Sequence, residues 1–120
     1  MSRQISFTKI EKELLPAYRQ KIGSAESTED VKKFFVYIVM ELLNRAYHDK
    51  ISFEYNDICL TPAKSPHYYI DTNVTSSDDF ASVWENSDLS HIVSRFTDTA
   101  MNHYAHMAQN PAKTEAKIRN

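Results

Sequence analysis

Residues 31–47, VKKFFVYIVMELLNRAY, place apolar side chains around most of a helical wheel. At 3.6 residues per turn, one side carries Val31, Phe35, Ile38, Val39, Leu42, Leu43 and Ala46. Phe34, Val36, Met40 and Tyr47 widen that side, and the remaining strip holds Lys33, Tyr37, Glu41 and Asn44. Other elements must cover so wide an apolar arc. The pattern predicts a central helix over about residues 28–47, with a homodimer as a second way to cover the arc.

The segment before the central helix predicts another helix over residues 6–22. Its apolar residues recur at spacings of three and four, the spacing of one helical face. Thr8 followed by Glu11 resembles a capping box. Pro16 lacks a backbone donor and leaves two alternatives open. The helix either kinks, or splits into two pieces with the second starting near Leu15.

From Ile51 the apolar period changes to two, which is typical of strands. Ile51, Phe53 and Tyr55 alternate with polar residues and predict a half-buried strand. The alternation then slips by one residue, so residues 56–57 are expected to form a turn or a bulge. After the loop TPAKSP at residues 61–66, Tyr68, Ile70 and Val74 predict a partner strand over about residues 67–74. Together the segments predict a small antiparallel hairpin.

Two helix starts are expected in the last third of the chain, at residues 76–79 and at residues 87–88. The second helix keeps its apolar spacing for about five turns and should end at Asn110-Pro111. The order α-α-β-β-α-α predicts an α+β fold, with four or so helices packed around the central helix and the hairpin. We expect a single domain at residues 1–110 and a polar, flexible tail at residues 111–120.

Composition narrows the range of functions. One cysteine excludes an internal disulfide and fits a reducing cytoplasm, and the N-terminus has no apolar signal-peptide core. The longest strongly apolar run, residues 34–40, is too short to span a bilayer. Residues 51–110 hold two Lys or Arg against eight Asp or Glu, which argues against nucleic-acid binding. Gly23 is the sole glycine, so phosphate-binding glycine-rich loops are excluded in their usual forms.

His103 and His106 form the best candidate site for chemistry, because residues three apart share one face of a helix. Two imidazoles there could bind a metal, with a further ligand from Glu54, Asp57 or Asp71. A structural zinc site needs four ligands, and His103 lies near the centre of the apolar face, which favours a buried histidine. Cys59 stands between Ile58 and Leu60 and is likewise expected to be buried rather than reactive.

Tyr69 alternates against Tyr68 and Ile70, so its ring should point outward. Glu54, Asp57 and Asp71 would surround it and form an acidic, tyrosine-bearing face. An ordinary sheet face is the simpler explanation of the same residues. We predict a cytoplasmic protein without catalytic machinery or cofactor, which binds another protein or itself through this face. The alternative prediction is a small-molecule or metal-binding protein or enzyme that uses His103 and His106 with carboxylates of the sheet.

Overall fold

The computed structural model describes residues 5–48 and 50–109 and shows five helices with a two-stranded antiparallel sheet. The helices are α1 (Thr8–Gly23), α2 (Thr28–Ala46), α3 (Thr72–Thr75), α4 (Asp78–Glu85) and α5 (Leu89–Gln109). The strands are β1 (Ile58–Leu60) and β2 (Tyr68–Ile70), and a 3-10 turn at Tyr55–Asp57 precedes β1. The predicted α+β class and the order α-α-β-β-α-α are confirmed.

Helix α2 occupies the centre of the domain, where it packs against α1, α5 and β1. It begins where the Ser27 hydroxyl accepts a hydrogen bond from the Asp30 N–H at 3.1 Å. Its buried residues are Val31, Phe35, Val36, Val39, Leu42, Leu43 and Ala46. Most of the apolar arc is therefore covered within one chain. The width of the apolar arc therefore gives no reason to expect a homodimer.

Helix α1 runs without interruption through Pro16, so the predicted split near Leu15 is wrong, and the alternative kink stays a prediction. Pro16 and Lys12 are both exposed, and water can bind the Lys12 carbonyl that Pro16 leaves without a donor. The predicted capping box of Thr8 and Glu11 is wrong. The N-cap is Phe7, which makes no side-chain cap, and the Glu11 carboxylate instead binds Arg95 of α5 at 2.7 and 2.8 Å.

The hairpin is shorter than its apolar pattern predicts. No strand forms over residues 51–55, because the chain turns at Tyr55–Asp57. Asp57 Oδ2 accepts from the Glu54 N–H at 2.9 Å, and such local bonds compete with strand pairing. The partner strand ends at Ile70 rather than Val74. The Asp71 carbonyl accepts from the N–H groups of Val74 and Thr75, and the chain enters α3.

The starts of α4 and α5 agree with the predicted caps. The Ser77 hydroxyl accepts from the Phe80 N–H at 3.2 Å, and α5 begins two residues after Ser87. Asn110-Pro111 and the expected tail at residues 111–120 lie outside the described residues. Within residues 5–48 and 50–109, no helix combines the length and apolarity needed to cross a membrane.

Candidate functional site

The hairpin turns one side toward the core and the other toward solvent. Ile58 pairs with Ile70 and both are buried, whereas Cys59 pairs with Tyr69 and both are exposed. Tyr69 is 45% exposed, as its alternation predicts. The expected burial of Cys59 is wrong, because a three-residue strand that buries its first and third residues turns its second outward.

The three predicted acidic residues gather at one end of the hairpin. The Asp71 N–H donates to the Asp57 carbonyl at 2.7 Å, so the two aspartates face each other across the chain. Glu54 is exposed and lies just before the turn, with its N–H bound to the Asp57 carboxylate. The structure therefore brings Glu54, Asp57 and Asp71 together, although none of them belongs to a strand. Within the described residues, the ion pairs involve other carboxylates.

A second exposed aromatic group lies beside the hairpin, and the sequence pattern misses it. The rings of Tyr37 on α2 and Tyr55 in the turn lie 5.5 Å apart between centroids, and the side chains are 54% and 41% exposed. Alternation placed Tyr55 inward with Phe53, but the turn after Glu54 rotates it to the surface. The exposure of Tyr37 could be predicted from the polar strip of α2, whereas its contact with Tyr55 could not.

Exposed aromatic side chains occur at two places near the hairpin, the Tyr37–Tyr55 pair and Tyr69 on β2. The large exposed apolar side chains among the described residues are Ile5, Tyr37, Tyr55 and Tyr69. We call the set of Tyr37, Tyr55, Tyr69, Glu54, Asp57 and Asp71 the tyrosine surface. It combines rings that can contact a partner with carboxylates that can attract one.

A small cleft of about 270 Å³ separates β2 from α4. Its walls are Tyr68, Ile70, Thr75, Phe80, Ala81, Trp84 and Glu85. Burial raises the pKa of the Tyr68 hydroxyl, so this group stays neutral and can act as a hydrogen-bond donor. The cleft offers apolar contact, the phenol of Tyr68, the hydroxyl of Thr75 and the carboxylate of Glu85.

His103 and His106 are both exposed on α5. The expectation that His103 is buried is wrong: full burial on α5 ends with Ala100, and the later side chains that still pack against the core are Met101, Tyr104 and Met107. Among residues 5–48 and 50–109, no three His, Cys, Asp or Glu side chains are grouped so that they could hold a metal ion. The use of the two histidines as ligands stays a prediction.

Comparisons with protein-family models, curated proteins and solved structures find no match for this chain.

Proposed function

We propose that this chain is a non-catalytic, cytoplasmic protein-binding module whose tyrosine surface meets a basic surface on a protein partner. The observation that carries the proposal is that exposed rings adjoin acids at two places: the Tyr37–Tyr55 pair follows Glu54, and Tyr69 stands two residues before Asp71. Tyrosine is enriched at protein interfaces, because its ring supplies apolar area and its hydroxyl supplies a hydrogen bond. The exposed Cys59 thiol fits a reducing compartment.

The acids of the tyrosine surface support a basic partner. Glu54 is exposed and Asp57 and Asp71 are half-buried, and the ion pairs of the described residues use none of them. Charges at the rim of an interface govern the rate of encounter, whereas buried aromatic contacts govern dissociation. The two groups of residues should therefore affect binding in different ways.

The alternative, a small-molecule or metal site at His103 and His106, has less support. Both side chains are exposed, and the described part of the chain brings no third ligand to them. Ligand sites are usually concave and mostly apolar, which two histidines on an exposed helix face do not provide.

Photocrosslinking tests the proposed function. A photoreactive phenylalanine analogue at Tyr69 should yield a specific crosslinked protein in cells, and the same group at Ser94, an exposed residue of α5, should not. Rates are then measured with the recovered partner, which can be a second copy of the chain. Tyr69→Ala should mainly speed dissociation, and Glu54→Lys with Asp71→Lys should mainly slow association at low salt. Equal crosslinking at both positions, or unchanged rates, would place the binding surface elsewhere.

A further inference from the structure

A basic, apolar groove runs between α1 and α2, next to the tyrosine surface. Its volume is about 370 Å³, and its walls are Ala17, Tyr18, Lys21, Lys33, Phe34, Tyr37 and Ile38. The ammonium groups of Lys21 and Lys33 lie 5.8 and 5.6 Å from the centroid of the Phe34 ring. Two cations from two different helices therefore flank one half-buried ring.

The positive charge of this groove is not balanced by an ion pair among the described residues. The pairs formed there by lysine and arginine use Lys32, Arg45 and Arg95. Lys21 and Lys33 are both exposed, so their charges are available to an anionic partner. The groove is complementary in charge to the acids of the tyrosine surface.

Tyr37 connects the two regions. It forms part of the wall of the groove, and its ring also contacts the ring of Tyr55. Glu54 precedes Tyr55 in the chain, and its N–H is bound by Asp57. The surface thus passes from lysines, through two tyrosines, to carboxylates.

A surface ordered in this way is complementary to itself. If a second copy is rotated by a two-fold axis near the Tyr37–Tyr55 pair, the basic end of each copy faces the acidic end of the other. Such isologous contacts are the commonest form of protein dimer. The aromatic rings then lie at the centre of the interface and the charges at its rim, the arrangement that stable interfaces share.

We propose that the partner of the tyrosine surface is a second copy of this chain, bound in this two-fold arrangement. Lys33 and Lys21 of each copy face Glu54 and Asp57 of the other. The inference rests on the proposed function, since it uses the same tyrosines and acids. It adds the α1–α2 groove as the surface that receives them.

Charge reversal with complementation tests the arrangement. Between about 10 μM and about 100 μM, wild type should pass from monomer to a dimer that sediments at twice the 13.9 kDa of the chain. Lys33→Glu and Glu54→Lys should each weaken self-association by about tenfold or more, because each creates two repulsive contacts per dimer. A mixture of the two variants should restore the dimer, since both contacts between unlike copies are again attractive. Lys9→Glu, which reverses an exposed charge at the start of α1, should leave the dimer intact.

Two results would overturn the inference. One is a wild-type protein that remains monomeric up to about 100 μM, a concentration at which even weak dimers form. The other is a dimer that neither variant weakens or that mixing does not restore. A monomeric wild type that still crosslinks another protein through Tyr69 would overturn this inference alone and leave the proposed function standing. The three side chains to be changed, Lys9, Lys33 and Glu54, are all exposed, and circular dichroism checks that each variant is folded.

Discussion

Two tyrosine hydroxyls are bound inside the protein. Tyr18 donates to the Phe96 carbonyl at 2.7 Å, and Tyr47 donates to the Phe80 carbonyl at 2.8 Å. Both side chains are buried, and burial raises the pKa of each hydroxyl because the phenolate would lose its solvation. These two tyrosines therefore differ from the exposed rings of the tyrosine surface in both environment and role.

The raised pKa values predict how stability depends on alkaline pH. The folded state holds both protons to a higher pH than the unfolded state, whose tyrosines titrate near pH 10. The contribution is fully present below about pH 10 and is lost above it, by at most about 1.4 kcal/mol per pH unit for each tyrosine. Urea unfolding from about pH 9 to about pH 11.5 measures this slope.

The matched control for the alkaline slope is the double variant Tyr18→Phe with Tyr47→Phe. It loses two hydrogen bonds, so it should be less stable at neutral pH by about 1 kcal/mol per site. Its stability should fall less steeply above pH 10 than that of wild type. Equal slopes for the two proteins would show that other groups cause the alkaline loss.

Between elements, the ion pair of Glu11 and Arg95 joins α1 to α5. Arg95 Nε and Nη2 donate to the two Glu11 carboxylate oxygens at 2.7 and 2.8 Å. The hydrogen bond to Glu11 raises the pKa of Arg95, which stays charged throughout the ordinary pH range. The Glu11 side chain is 12% exposed, whereas Arg95 is 51% exposed, so solvent screens part of the interaction.

We expect Glu11→Gln to lower the free energy of unfolding by about 1 kcal/mol, since it removes a two-pronged, charge-assisted contact from a nearly buried site. Glu13→Gln is the matched control on the same helix. Glu13 meets Arg45 at 3.4 Å with both side chains about half exposed, and such pairs contribute little. Chemical denaturation measures the free energy of unfolding of both variants. An equal decrease for the two would show that burial of Glu11 does not strengthen its contact with Arg95.

The helices were predictable from the sequence because their signals are local and repeated. The apolar period of α2 and the Ser27 cap lie within the segment that they specify. The hairpin limits were not predictable, because hydrogen bonds of Asp57 and the Asp71 carbonyl end the alternation early. His103 shows a related failure. Helical spacing does not show that in the last turns of α5 Tyr104 and Met107, and not His103, pack against the core.

For the molecule as a whole, the core is covered within one chain and the tyrosine surface is not. The outward position of Tyr69 and the acidity of the hairpin could be predicted from alternation and charge. The Tyr37–Tyr55 contact could not, because it joins residues from two elements that only the fold brings together. The groove at Lys21 and Lys33 could not be predicted either, because its walls come from two helices that only the fold brings together.

The central claim is that the exposed tyrosines bind a protein partner while the buried ones maintain the core. The chain has seven tyrosines, and 3-fluorotyrosine labelling gives each a fluorine resonance that Tyr→Phe variants assign. As wild-type concentration rises from about 10 μM to about 500 μM, a range that covers weak association, the resonances of Tyr37 and Tyr55 should shift. The resonance of Tyr47, which is buried and lies outside the groove, should stay constant, and Lys33→Glu should suppress the shift. The added protein can be a second copy of the chain or the crosslinked partner. The central claim is contradicted if neither changes the resonance of any exposed tyrosine.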